Sequence, residues 1–299
     1  MVSIVIPLYN KAQSIANTIT CIQNQTYQDF EIVVIEGWST DGSLEIIKKL
    51  ASDDKRIKVF MQKNRNGVTP ARNESIEEAK CEHIMFMDAD DYWEPTYMET
   101  MVKLIQDFPD AGIWGMHHGE IDARGKYNVR TIMPDGFRGV IENPWILGSP
   151  YWTSATAVSK SAVEKIGGFD NRIIFGEDID LWYRLMLEFP AVFEQGKILS
   201  YYKVDAENRA CNKLFPLKIH IPYYIEKYNK YRAENKDFRK FIDLQFLYRL
   251  YPYALSTPND PDLKRVLSQI DFSLQKRSMR WRFRFPKLYN IYMKIVGRA

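Results

Sequence analysis

Short apolar runs alternate with helically spaced apolar positions along the first part of the chain. The runs have the length and the β-branched content of buried strands, and they fall at residues 3–8, 31–35, 57–61, 84–87 and 112–117. Apolar residues three or four positions apart predict helices at residues 12–23 and 41–50, from residue 69 onward, and at 95–107. Repeated strand–helix units of this length favour an α/β fold with a mostly parallel sheet flanked by helices.

The pattern changes after residue 122. Residues 122–152 mix glycine, proline and aromatic residues, which is typical of loops. Beyond them we predict helices at 160–166 and 178–188, a strand at 153–159, and strands near 192–194 and 198–203 that close the sheet. After about residue 205 the strand signal ends, and the sequence becomes helical and rich in Tyr, Lys and Arg. We therefore predict an α/β domain over residues 1–210 and a helical C-terminal extension over residues 211–299.

Composition and charge limit which cellular compartment and which class of partner fit this chain. The 299 residues are 45% hydrophobic and 26% charged, with a formal net charge of +3, so charge gives no reason to expect a nucleic-acid partner. Cys21, Cys81 and Cys211 are far apart without metal-ligand spacing, which predicts free thiols in a reducing compartment. The N-terminal apolar run is too short for a signal peptide, and no run reaches the ~18 residues of a membrane-spanning helix. We expect a cytoplasmic protein.

Three carboxylates, Asp88, Asp90 and Asp91, follow the fourth predicted strand with no Lys or Arg beside them in the sequence. Ligands of parallel sheets bind beyond the carboxyl ends of the strands, which is where this cluster falls. If the strand continues, Asp88 and Asp90 point to the same side with Cα atoms roughly 7 Å apart. Such a pair could bind Mg²⁺ or Mn²⁺ together with a phosphate group. The alternative is structural: Asp88 ends the strand, and Asp90 or Asp91 caps the next helix.

A second acidic group, Glu177 and Asp178, stands at the start of a predicted helix. A carboxylate there could act as a general base if the helix begins at the same edge of the sheet. The alternative is that these acids stabilise the helix N-terminus through the backbone dipole. Glu36 ends the second predicted strand at that edge, and Pro7 and Tyr9 end the first.

Four stretches of the chain together resemble the family 2 glycosyltransferases. They are "VSIVIPLYN", "QNQTYQDFEIVVIEGWSTDGS", "NGVTPARNESIEEAKCEHIMFMDADDYWEP" and "GGFDNRIIFGEDIDLWYRL", in the family's order and spacing, and they cover about residues 1–205. The resemblance implies the GT-A fold and an enzyme that inverts the anomeric configuration of the sugar it transfers. It implies a nucleotide-sugar donor, a UDP-sugar by default. The implied acceptor is a hydroxyl of a glycan or lipid-linked molecule in bacterial surface polysaccharide synthesis.

The resemblance also implies roles for residues at the edge of the sheet. Asp178 is the implied catalytic base, and Glu177 and Asp91 are possible additional site residues beside the implied base and metal ligand. Asp90 is the implied ligand of a divalent Mn²⁺ or Mg²⁺ ion that bridges the donor diphosphate. The implied donor-binding residues are Pro7 and Tyr9 for the nucleotide base, Arg72 for the base or the diphosphate, Asp88 for the ribose side, and also Glu36 and Ala89.

One position departs from the family pattern. Many members carry two Asp residues at the end of the second strand, and the second of them reads the nucleotide base. This chain has Glu36-Gly37 there. Gly37 has no side chain that could accept a hydrogen bond from the base, and the longer Glu36 could compensate for it. The identity of the nucleotide therefore stays open.

Aromatic residues mark a candidate acceptor side. One predicted loop carries Trp145, Tyr151 and Trp152. Aromatic rings stack well on sugars, but they are also ordinary core residues, so both interpretations stay open. His117 and His118 follow a predicted strand and could line the same site or serve the fold.

The segment after Gln275 carries eight basic residues and no acid, with aromatic and aliphatic residues between them. This composition predicts peripheral contact with an anionic membrane surface, at the inner face of the cell membrane. One alternative is that its apolar residues pack on the domain while the basic ones face solvent. RNA binding is another, although no recognition module is visible. Pro286 predicts a break between two short helices.

Two other functions remain open at the level of sequence. A phosphotransferase or phosphatase with Asp88 or Asp90 as nucleophile would carry this motif after its first strand, whereas here the motif follows the fourth. A non-catalytic scaffold with the same fold would bind membranes without turning over a donor.

Overall fold

Most of the strands begin close to the predicted runs, and together they form two sheets. The computed structural model describes residues 1–63, 67–122, 124–125, 127–129, 132–147, 150–204 and 214–295. The strands are β1 (Val2–Leu8), β2 (Phe30–Glu36), β3 (Ile57–Met61), β4 (His83–Phe86), β5 (Tyr92–Trp93), β6 (Ile113–Met116), β7 (His118–Ile121), β8 (Tyr127–Val129), β9 (Arg138–Val140), β10 (Thr156–Ser159), β11 (Ala191–Glu194) and β12 (Ser200–Lys203). The helices are α1 (Ile15–Gln23), α2 (Ser43–Asp53), α3 (Val68–Glu78), α4 (Tyr97–Asp107), α5 (Pro144–Leu147), α6 (Lys160–Lys165), α7 (Glu177–Glu188), α8 (Asn229–Glu234), α9 (Lys236–Ser256), α10 (Pro261–Gln269), α11 (Arg277–Arg284) and α12 (Pro286–Ile295). Short 3₁₀ turns lie at Thr153–Ala155, Leu217–Ile219, Ile221–Tyr228 and Phe272–Leu274.

The larger sheet has the strand order β3-β2-β1-β4-β10-β6-β11-β9. β1 pairs in parallel with β2 and β4, and β2–β3 and β6–β11 are parallel as well. β10 runs antiparallel to β4 and β6, and β9 runs antiparallel to β11. Leu8 lies opposite Glu36, and Val5 lies opposite Phe86, so the carboxyl ends of β1, β2 and β4 meet at one edge. The predicted α/β sheet flanked by helices is confirmed.

The central strands are apolar along their whole length because both of their faces are covered. Ile4 and Ile6 of β1 point to one face, where they pack in a cluster that includes Ile19 of α1. Val5 of β1 and Val33 of β2 point to the other face and are also fully buried. A rigid double-sided core therefore supports the edge at which the acidic residues lie.

The smaller sheet has the strand order β5-β12-β7-β8. The prediction that residues 198–203 close the larger sheet is wrong, because β12 pairs antiparallel with β5 and parallel with β7. The prediction that residues 122–152 are loops is wrong for β8, for β9 of the larger sheet and for the helix α5. β8 and β9 are three residues each and too short to show an alternating pattern. Residues 153–155 form a 3₁₀ turn before β10 and not the start of a strand.

The chain divides into two compact units. The first comprises Met1–Asn171 and Glu177–Ala210, and the second comprises Arg172–Gly176 and Cys211–Ala299. Within the second unit, the backbone N–H groups of Ile174 and Phe175 both donate to the carbonyl of Ile219, at 2.9 and 3.1 Å. The predicted boundary at residue 210, and Cys211, lie outside the described residues. The division into domains 1–210 and 211–299 therefore stays a prediction.

The C-terminal helices belong to the second unit. The predicted break at Pro286 is confirmed, since α11 ends at Arg284 and α12 begins at Pro286. α12 is held on α9 by a hydrogen bond of 3.1 Å from the Tyr251 hydroxyl to the Pro286 carbonyl. Among the described residues, no helix combines the length and the hydropathy that a bilayer crossing requires.

Candidate active site

The predicted acidic cluster lies at the carboxyl end of β4, in the turn that connects it to β5. Asp88 is partly exposed, whereas Asp90 and Asp91 are buried. Ala89 is buried too, and its carbonyl accepts a 3.0 Å hydrogen bond from the Thr18 hydroxyl. Thr18 lies on α1 and bonds the Asp91 carbonyl as well, at 3.1 Å. The turn is therefore fixed by its backbone, and its carboxylates have defined positions.

Two cations from distant parts of the chain pair with two carboxylates of this cluster. Lys11 Nζ lies 2.6 Å from Asp90 Oδ2, and both side chains are mostly buried, 16% and 12% exposed. Arg72 Nη2 donates to Asp88 Oδ1 at 2.9 Å. Burial raises the pKa of Asp90 even against the hydrogen bond from Lys11. The cluster thus lacks basic neighbours in sequence but has them in space.

Sequence reasoning missed Lys11. Lys11 follows Tyr9 in the loop beyond the carboxyl end of β1, which lies next to β4 in the sheet. The rule that placed Asp88 at this edge applies equally to Lys11, so the position of the residue was a usable signal.

Asp91 is the most buried carboxylate of the cluster. It is 1% exposed, and its Oδ2 accepts a 2.5 Å hydrogen bond from the Ser154 hydroxyl. Burial, followed by repulsion from Asp88 and Asp90, raises its pKa well above the ordinary value. These contacts favour a structural part for Asp91, which shapes the turn that carries Asp90.

Arg72 connects the acidic turn to the start of α7. Its Nη1 donates to Glu177 Oε1 at 2.6 Å while Nη2 is bonded to Asp88, and the Arg72 side chain is 5% exposed. Burial, followed by the neighbouring Asp178, raises the pKa of Glu177 to about 7, and Arg72 opposes this rise. Three predicted residues, Arg72, Asp88 and Glu177, are therefore joined in one buried ion-pair network.

Asp178, the predicted base, lies next to Glu177 and is partly exposed. Its Oδ2 accepts a 3.1 Å hydrogen bond from the Thr153 hydroxyl, and its Oδ1 accepts one of 2.7 Å from the N–H of Ile179. The carboxylate is thus oriented and still reachable from solvent, as a general base must be. Thr153 is a second residue that sequence reasoning missed, since nothing in its local pattern marks it.

The end of β2 is arranged differently from what its predicted donor role suggests. Glu36 is fully buried, and its two carboxylate oxygens accept the N–H groups of Trp38 and Ser39, each at 2.8 Å. Trp38 adopts a positive φ of 65°, which the Glu36 contacts stabilise. A Cβ on Gly37 would lie 3.2 Å from Gln62 Oε1, so a larger residue there would crowd its neighbours. These contacts favour a turn-closing part for Glu36, and its contact with a donor stays a prediction.

Pro7 and Tyr9 lie at the end of β1, beside this turn. The Tyr9 side chain is 59% exposed and Pro7 is partly exposed. The following Asn10 N–H donates to Ser39 Oγ at 3.0 Å, which ties the two loops together. An exposed ring on a fixed loop can stack on a planar ligand.

The aromatic candidates separate into core and surface residues. Trp145 and Tyr151 are buried, and the Tyr151 hydroxyl donates to the Val192 carbonyl at 3.0 Å. Trp152 is partly exposed and lies between the rings of His118 and Tyr202, with centroid distances of 5.4 and 4.7 Å. Trp152 and His118 therefore remain candidates for the acceptor side.

His117 is buried: it is 7% exposed, and its Nδ1 lies 3.2 Å from the Gly196 carbonyl. That contact ties the residue to the loop after β11. A structural part is the better interpretation of His117.

Mg²⁺ and Mn²⁺ prefer oxygen ligands, which the carboxylates of the acidic turn supply. No group of three or more His, Cys, Asp or Glu side chains in the described parts of the chain is arranged to hold a metal by itself. These ions usually take one or two carboxylates and complete their shell with phosphate oxygens and water. Asp88 and Asp90 are two carboxylates of this kind, but Asp90 Oδ2 is bonded to Lys11 and Asp88 Oδ1 is bonded to Arg72. A divalent ion at this turn therefore stays a prediction.

The family model described as glycosyl transferase family 2 matches residues 3–167, which is more than half of the chain. The chain belongs to this family. The match includes β1, the acidic turn and Arg72, and it ends before α7. The family that the sequence motifs predicted is confirmed.

A solved structure agrees with the fold of this family 2 chain. The crystal structure of Staphylococcus aureus TarS residues 1–349 in complex with UDP-GlcNAc superposes with a TM-score of 0.76 at 16% identity, covering 97% of this chain and 88% of that one. The predicted GT-A fold is thereby confirmed.

Among curated relatives, the glycosyltransferase GlyG of Streptococcus pneumoniae is 31% identical over 127 residues, 42% of each chain. A Bacillus subtilis glycosyltransferase named for teichuronic acid biosynthesis, TuaG, is 28% identical over 107 residues, 36% of this chain and 42% of that one. The chain therefore spans less than half the length of these relatives.

Proposed function

We propose that this chain is an inverting, metal-dependent glycosyltransferase that transfers a sugar from a nucleotide-sugar donor to a hydroxyl of a glycan or lipid-linked acceptor. The observation that carries this proposal is the ion-pair network around Arg72. Arg72 joins Asp88 of the acidic turn to Glu177, the neighbour of Asp178. The network keeps a candidate base and a candidate diphosphate site in one fixed arrangement.

The donor is held at the edge formed by β1 and β4. Tyr9 stacks on the nucleotide base, since its ring is exposed on a loop that is tied to its neighbour. Lys11 and Arg72 bring positive charge to the diphosphate. Asp90, with Asp88, would hold Mn²⁺ or Mg²⁺, which when bound stabilises the negative charge of the leaving diphosphate as a Lewis acid.

The transfer step is a direct displacement in which Asp178 takes a proton. As the acceptor oxygen forms its bond to the anomeric carbon, Asp178 accepts the hydroxyl proton. The bond from that carbon to the diphosphate oxygen breaks on the opposite side, and its electron pair leaves with the nucleotide. Attack from the side opposite the leaving group inverts the configuration of the sugar.

UDP is the nucleotide that we propose, because the TarS crystal structures of this fold are described as complexes with UDP-GlcNAc and with UDP. We propose surface polysaccharide synthesis as the process, because the relative TuaG is named for teichuronic acid biosynthesis. Glu36 is engaged with its own turn, so recognition of the base would rest on Tyr9, Pro7 and the backbone beside Gly37.

The test is a screen of nucleotide sugars for turnover, with Mn²⁺ and with a chelator. Release of the nucleoside diphosphate is measured, and the anomeric configuration of the product is read by NMR. We expect one nucleotide sugar to be consumed only with the metal and with inversion. Retention of configuration would contradict direct displacement with Asp178 as base, and absence of any turnover would favour a non-catalytic scaffold.

We also propose that the chain contacts the inner face of the cell membrane through its C-terminal helices. On α11, Met279 is buried and Arg282 stacks on the Tyr251 ring with its guanidinium carbon 3.6 Å from the centroid, so this helix is anchored to α9. α12 instead exposes apolar side chains at Leu288, Ile291, Tyr292 and Ile295. The spacing of these four residues places them on one face of the helix.

Charge complementarity identifies an anionic bilayer as the partner of this face. The segment after Gln275 has eight basic residues and no acid. Each Lys or Arg near an anionic surface contributes about 1 kcal/mol, and the apolar face can insert at the interface. The anchored helix α11 also means that removal of the whole segment after Gln275 would disturb the second unit, so point variants test the contact better.

The experiment is co-sedimentation with vesicles that contain phosphatidylserine, compared with neutral vesicles. Ile291→Glu together with Ile295→Glu should abolish binding to the anionic vesicles while the melting temperature is unchanged. Ile146→Glu changes an equally exposed isoleucine elsewhere and is the matched control. Equal sedimentation of the wild type and the double variant would contradict the membrane proposal.

A further inference from the structure

The 3₁₀ turn Thr153–Ala155 contacts both acidic groups of the site. Thr153 Oγ1 donates to Asp178 Oδ2 at 3.1 Å. The adjacent Ser154 Oγ donates to Asp91 Oδ2 at 2.5 Å and accepts the N–H of Asp88 at 3.0 Å. Two consecutive hydroxyl residues therefore touch the candidate base on one side and the acidic turn on the other.

Ser154 holds this turn at a fixed point. It is fully buried, and its carbonyl accepts hydrogen bonds from Trp93 Nε1 at 2.5 Å and from Ser200 Oγ at 2.7 Å. These partners lie on β5 and β12, so the smaller sheet supports the turn. Because Thr153 directly precedes Ser154, its hydroxyl is held at a set position relative to Asp88.

Thr153 in turn restrains the carboxylate of Asp178. Oδ1 of Asp178 is bonded to the N–H of Ile179 in its own helix, and Thr153 supplies a contact to Oδ2 from outside that helix. A carboxylate bonded through both oxygens keeps one orientation. A general base must lie within about 2.6–3.2 Å of the hydroxyl that it deprotonates. Misplacement of a reacting group by about 1 Å can cost about 10²-fold in rate.

We propose that Thr153 is a positioning residue for Asp178, and that the turn Thr153–Ala155 sets the spacing between the base and the acidic turn that receives the donor. This inference rests on the proposed function. Thr153 is 3% exposed and acts on the reaction through Asp178, so it is not itself a catalytic residue. Ser154 acts through the acidic turn instead, and the two neighbours therefore influence different steps.

The experiment compares Thr153→Val and Ser154→Ala by steady-state kinetics and donor titration. Thr153→Val keeps the shape of the side chain and removes the hydroxyl, so kcat should fall about 10-fold while the donor KM changes less than about 2-fold. Thr153→Ser restores the hydroxyl and should recover kcat to within about 3-fold of the wild type. Ser154→Ala should raise the donor dissociation constant about 5-fold or more, because the acidic turn loses two hydrogen bonds.

Thr156→Val is the matched control. Thr156 is also fully buried, and its hydroxyl donates to the Trp152 carbonyl at 2.6 Å without touching an acid. That carbonyl keeps the hydrogen bond from the Ala155 N–H, so the change should leave kcat and KM close to those of the wild type. Melting temperatures of all variants show whether the fold is intact.

The split between kcat and donor binding is the deciding result. If Thr153→Val and Ser154→Ala change the same parameter in the same proportion, or if Thr153→Ser fails to recover kcat, the positioning inference is overturned while the proposed function stands. A wild-type protein without turnover would overturn both the proposed function and this inference.

Discussion

Replacing Arg72 by methionine removes the guanidinium that neutralises Glu177 and Asp88 and keeps an unbranched apolar chain in its place. The Arg72 side chain is 5% exposed, and the side chains of its two partners, Glu177 and Asp88, are 10% and 29% exposed. Breaking a buried ion pair by removing one partner typically costs about 3–5 kcal/mol. We expect the lower part of that range, since solvent still reaches the carboxylate of Asp88 and screens its charge.

The destabilisation should depend on pH in a defined direction. Burial, followed by Asp178, raises the pKa of Glu177 from 4.5 to about 7. Between these values the folded protein holds a proton that the unfolded chain has lost, so the contribution of Glu177 to stability falls as pH rises. Without Arg72 the pKa of Glu177 rises further, and the fall continues above about pH 7 at up to about 1.4 kcal/mol per pH unit. The cost of Arg72→Met should therefore be larger at about pH 8 than at about pH 6.

Thermal unfolding measures this difference. An additional loss of about 1–2 kcal/mol corresponds to roughly 2–8 °C in melting temperature for a unit of about 200 residues. Arg56→Met is the matched control, because the hydrogen bonds from Arg56 hold the pKa of Asp54 well below its usual range. Its cost should be the same at both pH values. An equal cost of Arg72→Met at both pH values would refute the reasoning that Arg72 controls the protonation of Glu177.

Two predictions concern the proposed chemistry directly. Asp90→Asn should weaken Mn²⁺-dependent binding of UDP at least about 10-fold in isothermal titration, because a neutral amide is a weaker ligand for a hard cation. The control is Asp110→Asn, which changes an exposed carboxylate. Unchanged affinity of Asp90→Asn would remove Asp90 from the metal site. Asp178→Asn should lower kcat by about 10²-fold or more while donor affinity stays the same, and near-normal turnover would transfer the role of base to Glu177.

The fold could be predicted from the sequence where one hydrophobic pattern extended over enough residues to be recognised. β1 and β2 are continuous apolar runs because both faces of the sheet are covered, and the rule for parallel sheets then placed Asp88 and Asp90 at a binding edge. β8 and β9 escaped prediction because three residues cannot show an alternating pattern. β12 was recognised as a strand, but its partners could not be, since nothing in its own residues specifies which sheet it joins.

The contacts of the site were less predictable because they join residues far apart in the sequence. Lys11 reaches Asp90 across 79 positions, and Arg72 reaches Glu177 across 105. Local sequence around Asp90 shows only acids, from which unrelieved repulsion would be inferred. The sheet order brings the loop after β1, which carries Lys11, next to the turn after β4. The sequence placed both at one edge, but it did not show which side chains pair there.

The charge balance of the site gives a physical reason to expect a divalent ion with the donor. Four carboxylates, those of Asp88, Asp90, Glu177 and Asp178, face two cations, Lys11 and Arg72, in the ion-pair network and beside it. A nucleotide diphosphate adds negative charge to a site where burial already raises the pKa of Asp90 and Glu177. Charges in such a partly buried site interact several times more strongly than in water. Donor binding without a metal therefore works against repulsion that Lys11 and Arg72 only partly offset, whereas metal and diphosphate together leave the balance nearly unchanged. This is why the loss of Asp90 should weaken donor binding with Mn²⁺ far more than donor binding without it.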